Sequence, residues 1–182
     1  MSTPSPALLI IDMFTLFDFP DADQVKPDAL RAARQIARLA RHFRQRGQPV
    51  IHANDNFANW QMDFRELVAA CLATDGASSA IAKALAPVPG DYFVLKPKHS
   101  AFLATPLTVL LAKLGVNELV VCGMAAESCV AATCFDSNAR EYDTVVIREA
   151  VAGKGAHKTT ALRLLQDAKA AKVLRLATYL SR

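Results

Sequence analysis

Five consecutive apolar residues, Ala7-Leu8-Leu9-Ile10-Ile11, are stopped at once by Asp12. A run of that length without polar alternation is a strand buried on both faces. Such strands occur almost only in parallel sheets covered by helices on either side. Further short runs repeat the pattern, at Pro49–Ala53, Tyr92–Leu95, Glu118–Cys122, Thr144–Ile147 and Lys172–Leu176. Helical spacing lies between them. Leu30, Ala33, Ile36, Leu39 and Phe43 mark a helix over Asp28–Arg46, with arginines on its other face and Gly47 as its stop. Helices are also predicted over about 61–72, 79–85, 127–140 and 157–168. Thr105-Pro106 starts one more, with threonine as cap and proline at the first helical position, ending at Gly115. This alternation specifies an α/β chain, a three-layer αβα sandwich around a mostly parallel six-stranded sheet.

Composition narrows the class. The chain has 182 residues, 52% of them hydrophobic. One domain over 1–182 of that size buries about 70% of its unfolded surface and needs no disulfide or metal to hold it. Residues 1–6, all Ser, Thr or Pro after Met1, are expected to form a loose tail. Four cysteines are too few for a disulfide framework. Lysine plus arginine number 21 and aspartate plus glutamate 17, for a net charge of +4 without a run of like charges. No nucleic-acid surface and no membrane patch is expected from that distribution. The N-terminal segment lacks a basic n-region, and its apolar run is too short to span a bilayer. The expectation is a cytoplasmic protein with reduced thiols and a small-molecule substrate.

In open α/β sheets, sites form outside the carboxyl ends of the strands. The first strand ends in Asp12 and the third in Lys96, while the fourth leads through Gly123-Met124-Ala125-Ala126-Glu127-Ser128 to Cys129. Singly these have ordinary readings: a turn residue, a solvated lysine, a small buried hydrophobe. Together they assemble a nucleophile with its supports. A thiol at a helix start beside a lysine is predicted to have a lowered pKa. A carboxylate can take its proton. Free N–H groups at the helix start can hold a developing oxyanion. The combination suits acyl transfer through a thioester.

Three segments carry a family resemblance: Leu9-Ile10-Ile11-Asp12-Met13, Val94-Leu95-Lys96-Pro97-Lys98-His99-Ser100-Ala101-Phe102, and Val121-Cys122-Gly123-Met124-Ala125-Ala126-Glu127-Ser128-Cys129-Val130. In this order and separation the chain resembles the isochorismatase-like cysteine hydrolases, which include nicotinamidases and N-carbamoylsarcosine amidases. The resemblance runs from Leu8 to about Leu176. It implies Cys129 as nucleophile, Asp12 as general base, and Lys96 rather than Lys98 as their electrostatic partner, because Lys96 stands four residues before Ser100. It also implies a cis Met124–Ala125 peptide, an oxyanion hole from the N–H groups of Ala125 and Cys129, and a homo-oligomer, dimer or tetramer. Metal-binding nicotinamidases carry an Asp-x-His pattern and a further histidine after the second strand. Here that stretch is Asn54-Asp55-Asn56-Phe57-Ala58-Asn59-Trp60, with Asp55 but neither histidine. One carboxylate is a poor site for a transition metal, so no metal and no cofactor is expected, and nicotinamide is disfavoured as substrate. No glycine fingerprint for a dinucleotide follows the first strand, and Gly153-Lys154-Gly155 fits no Walker pattern.

Phe17, Phe57, Trp60 and Phe102 lie in or near strand-end loops and are candidates for an apolar substrate pocket, with plain core packing as the alternative. His99 is a further pocket candidate. Glu127 reads as a cap or structural contact. Cys71, Cys122 and Cys134 read as packing, and His42, His52 and His157 as structural or exposed. The leading expectation is a metal-independent cysteine hydrolase of small amides or related C–N bonds. Two alternatives stand beside it: vinyl-ether cleavage of the isochorismatase type by Asp12 without a covalent step, and a binding protein of the same fold without turnover.

Overall fold

The computed structural model describes residues 5–57 and 59–182. Six strands, β1 (Pro6–Ile11), β2 (Val50–Asp55), β3 (Tyr92–Lys96), β4 (Glu118–Gly123), β5 (Asp143–Val151) and β6 (Lys172–Leu174), form one parallel sheet in the order β3-β2-β1-β4-β5-β6. Successive side chains of a strand point to opposite faces, and here both faces are apolar. Leu8 and Ile10 of β1 pack into one core layer, Ala7, Leu9 and Ile11 into the other. Val120 and Cys122 of β4 divide from Leu119 and Val121 in the same way.

Helices cover each layer. On the first lie α1 (Ala22–Gln45), α2 (Phe64–Leu72), α3 (Ala77–Ala84) and α7 (Leu176–Leu180). On the second lie α4 (Leu107–Lys113), α5 (Ala131–Asn138) and α6 (Gly155–Asp167). The three-layer αβα arrangement is therefore the one the apolar runs imply. Among the described residues no helix is long and apolar enough to cross a membrane.

Several boundaries differ from the sequence expectation. The loose tail over 1–6 is corrected at its end: Pro6 opens β1, and the Ser5 N–H donates to Asn117 Oδ1 at 2.7 Å, while residues 1–4 lie outside the described residues. Helix α1 starts at Ala22, not Asp28, and holds Pro27 inside it. Proline there gives up one backbone hydrogen bond, but the extra turns bury Ala22 and Val25. The predicted sixth strand is shorter, because the Leu176 N–H turns away to Glu149 Oε2 at 2.9 Å and starts α7. Helix α2 starts at Phe64 behind a reciprocal capping box of Asp63 and Glu66. Helix α4 begins at Leu107, one residue later than expected, so Pro106 rather than Thr105 stands at the cap position, and Thr105 Oγ1 accepts from the Leu107 N–H at 3.2 Å from just outside the helix.

At the amino end of the sheet, Asp91 ties α1 to β2 and β3. Its carboxylate accepts from Arg44 Nε at 3.0 Å and Nη2 at 2.5 Å, from the Val88 N–H at 3.1 Å, and pairs with His52 Nε2 at 3.2 Å. Burial works against the charge, yet His52, Arg44 and the Val88 N–H outweigh it and bring Asp91 down to about 2. That depression corresponds to about 2 kcal/mol of stability. Because the folded pKa is the lower one, the contribution is fully present above the unfolded value near 3.8 and is lost as pH falls toward 2. Urea unfolding of Asp91→Asn should show a loss of about 2 kcal/mol at pH 7 that shrinks steadily below pH 4. An equal loss at pH 7 and pH 3 would contradict this account.

Candidate active site

Strand order decides where the site forms. From β1 the chain moves outward to β2 and β3, then returns to the other side of β1 for β4. Loops leaving β1 and β4 therefore part in opposite directions and open a crevice between them. Asp12 follows β1 directly, in a left-handed conformation with φ 50°, which aspartate tolerates better than most residues. Asn54 fastens the next turn. Its side chain accepts from the Phe14 N–H at 3.0 Å and donates to the Phe14 carbonyl at 2.8 Å. The Asp12 N–H itself bonds the Ala53 carbonyl at 3.0 Å.

Gly123 closes the other side of the crevice. It has φ 111°, and a side chain there would fall on the backbone of Ile11. Only glycine lets the end of β4 come this close to the end of β1. The Met124 N–H then bonds the Ile11 carbonyl at 2.9 Å, and the Met124–Ala125 peptide is cis. The helix that follows does not begin as an α-helix. Residues Ala126–Val130 form a π-helical turn before α5. Ser128 and Val130 both send their N–H groups to the Ala125 carbonyl at 3.1 Å, with Cys129 between them. Such π-wound turns recur at functional positions because they re-aim side chains within a helix.

Lys96 reaches the crevice from β3, two strands away from β1. Two strand spacings amount to about 10 Å, so a long, unbranched side chain is needed to cross β2. Lys96 is fully buried, and its Nζ lies 2.8 Å from Asp12 Oδ2, 3.6 Å from Cys129 Sγ and 3.9 Å from Asp55 Oδ2. It also donates to the Lys98 carbonyl at 3.3 Å. Asp12 Oδ1 accepts from the Asp55 N–H at 2.6 Å, and a side-chain hydrogen bond joins Asp12 to the Cys129 thiol. The three residues of the sequence expectation thus lie within contact of one another.

The electrostatics correct one expectation. The Cys129 thiol is not lowered but pushed up to about 11, first by burial and then by the Asp12 carboxylate, against the opposing pull of Lys96. The sequence expectation weighed the lysine's pull on the thiol; in the fold, burial and the charge of the Asp12 carboxylate outweigh it. Burial also raises Asp12, with Lys96 opposing it. For Lys96 burial disfavours the ammonium, but Asp12, Cys129 and Asp55 together outweigh it and raise its pKa. At neutral pH this favours a protonated thiol, held beside the 2.8 Å contact of Lys96 with Asp12.

The contacts of Thr133 were not legible in the sequence, whereas Glu127 makes a structural contact of the kind expected of it. Thr133 Oγ1, buried, accepts from the Ala101 N–H at 3.0 Å and donates to the Cys129 carbonyl at 2.7 Å. It joins the lysine segment to the nucleophile turn. Its one signal is a threonine four residues after the cysteine, on the same helical face. Glu127 Oε1 accepts from the Lys154 N–H at 3.2 Å, and a side chain on Gly153 would collide with Glu127 Oε2. The anion beside the Gly153-Lys154-Gly155 loop is the chain's own glutamate.

The pocket candidates separate. His99 is exposed, and its Nδ1 lies 3.9 Å from Cys129 Sγ. Phe17 and Phe57 pack against the α1 core layer, with Phe17 6.0 Å from Phe19. Phe102 is buried in the opposite layer, 6.0 Å from Tyr142 and with Arg140 over its ring at 4.9 Å. Trp60 stands 61% exposed on the loop after β2. Of these five, His99 is the one with a described contact to the triad. Among the described residues, no three His, Cys, Asp or Glu side chains converge in the manner of a metal site.

Comparison with known proteins agrees with this architecture. The isochorismatase domain model matches residues 6–178. The isochorismatase family protein YaaI of Bacillus subtilis is 36% identical over 152 residues, which cover 84% of this chain and 83% of YaaI. Maleamate amidohydrolase of Pseudomonas putida is 32% identical over 152 residues, covering 80% of this chain and 71% of that enzyme. In fold, the chain is similar to an isochorismatase-like hydrolase from Alkaliphilus metalliredigens, with a TM-score of 0.77 at 22% identity over 97% of this chain and 98% of that one. A domain match along nearly the whole chain, joined to relatives of this identity and coverage, places the protein in the isochorismatase family of hydrolases.

Proposed function

We propose that the protein hydrolyses a small amide, or a related C–N bond, through a thioester on Cys129 and without a metal. The observation that carries this reading is the contact of a thiol, a carboxylate and a buried ammonium at the switch point of the sheet. The likeness to maleamate amidohydrolase supports C–N hydrolysis as the reaction class.

Asp12 takes the thiol proton as Sγ adds to the substrate carbonyl. A thiol at about 11 supplies little thiolate unaided, so proton transfer accompanies attack. Lys96 stabilises the thiolate character that develops and holds the carboxylate in line. The N–H groups of Ala125 and Cys129 receive the oxyanion. Collapse of the tetrahedral intermediate breaks the C–N bond, and Asp12 returns its proton to the leaving nitrogen. Water then clears the acyl group.

The test is a panel of small amides, carbamoyl compounds and isochorismate, with quenched reactions examined by mass spectrometry. An acyl adduct on the Cys129 peptide with an amide substrate is the expected result, absent in Cys129→Ala. Undiminished turnover by Cys129→Ala would overturn the covalent reading. If that turnover were of isochorismate and vanished in Asp12→Asn, non-covalent vinyl-ether cleavage would replace it.

A further inference from the structure

We propose that His99 is the base that draws the proton from water when the acyl group is cleared from Cys129. The proposal rests on the thioester reading above and assigns its second half to a different residue from its first.

The position of His99 separates it from the other ionisable groups around the sulfur. Lys96 is sealed from solvent. Asp12 has one oxygen on the Asp55 N–H at 2.6 Å and the other on Lys96 at 2.8 Å, so both are already engaged. His99 is exposed, with Nδ1 3.9 Å from Sγ. Hydrolytic water arrives from solvent, and His99 is the base it meets at the thioester.

The imidazole is also carried on a held backbone. On one side the Lys98 carbonyl accepts from Lys96 Nζ at 3.3 Å. On the other the Ala101 N–H is bonded to Thr133 Oγ1, which in turn is bonded to the Cys129 carbonyl. The segment that presents His99 is therefore fastened on both sides to the residues it serves. A base must be within hydrogen-bond reach of the proton it removes, directly or through one water, and this anchoring keeps it there.

The step balances. An imidazole nitrogen takes a proton from water as the oxygen adds to the thioester carbonyl. The tetrahedral intermediate collapses, the C–S bond breaks, and its electron pair stays on sulfur. The imidazolium returns the proton to Sγ, leaving the thiol, neutral imidazole and a carboxylic acid. A thiol of such weak acidity is a poor leaving group as bare thiolate, so a proton delivered from this side also assists departure.

p-Nitrophenyl acetate tests this, since it acylates cysteine without help from an acid at the leaving group. Stopped-flow release of p-nitrophenolate would be followed for wild type, His99→Gln and His99→Phe, with Cys129→Ala as background. We expect both His99 variants to keep a stoichiometric burst while their steady-state rate falls about 100-fold, the scale of one general base. The acetyl adduct on Cys129 should accumulate accordingly. His99→Gln can hold a water but not accept its proton, so wild-type clearance by that variant overturns the assignment. So does unchanged clearance in both variants, or a lost burst, which would put His99 in attack or binding. If wild type itself shows no Cys129-dependent release, the thioester reading falls and this inference with it.

Discussion

Asp12→Asn is expected to lower amide turnover by about 1,000-fold or more and, at the same time, to make Cys129 easier to alkylate. The two effects have one cause. In the wild type the thiol stands at about 11, so roughly one molecule in ten thousand is thiolate at pH 7. Asp12 is responsible for part of that rise, through its charge and its hydrogen bond to the thiol. Asparagine removes both. Lys96, 3.6 Å from the sulfur, then pulls the thiol pKa down with one fewer opponent. Iodoacetamide labelling at pH 8 should accelerate by about tenfold for each unit of that fall. Turnover still fails, because no group remains to receive the thiol proton and give it to the leaving nitrogen. A variant that is slower in both assays would mean that Asp12 supports the site by structure alone.

Lys96→Met should act in the opposite electrostatic direction. It removes the one cause besides the Ser128 hydrogen bond that lowers the thiol pKa, so alkylation slows and the midpoint moves above its wild-type position near 11. Turnover is expected to fall about 100- to 1,000-fold, the scale of removing one preorganised charge stabiliser. Stability changes too. The Asp12 carboxylate loses its ion-pair partner in a largely buried site, a change that costs about 3 kcal/mol when the charge is retained. The variant can escape part of that cost by protonating Asp12. Its folded-state pKa, already raised by burial, rises further, and a raised carboxyl stabilises the fold below its unfolded pKa and loses that contribution as pH climbs through the folded value. The deficit against wild type should therefore be larger at pH 8 than at pH 5 in urea titrations. A deficit independent of pH would separate the loss from Asp12. Methionine keeps nearly the same length, so packing across β2 is not the cause of either effect.

Much of this was legible because buried parallel strands leave a plain mark. Ala7–Ile11 must hide both faces, and the same holds for the runs that became β2, β4 and β5. That Asp12, Lys96 and Cys129 meet could be read because strand ends in such sheets face one edge. Boundaries were harder. Apolar spacing placed the start of the first helix near Asp28, but burial of Ala22 and Val25 offsets the hydrogen bond lost at Pro27 and extends α1 backward. The short α7 carries too few residues to show a period, and a single hydrogen bond from Leu176 to Glu149 sets where β6 ends.

The sequence by itself determined the layer order, the sheet type and the placement of Asp12, Lys96 and Cys129 at one edge of the sheet. These follow from local patterning, whose physics acts over a few residues. Tertiary structure alone decided the state of those residues. The thiol pKa depends on a carboxylate 117 positions earlier and on burial that no local pattern measures. The distance from Lys96 to Asp12 depends on strand order, which sets one strand, β2, between residues 84 apart in the chain. The anchoring of His99 depends on Lys96 and Thr133 meeting from separate elements. Coulomb and desolvation effects act through space, so only the folded chain fixes their balance.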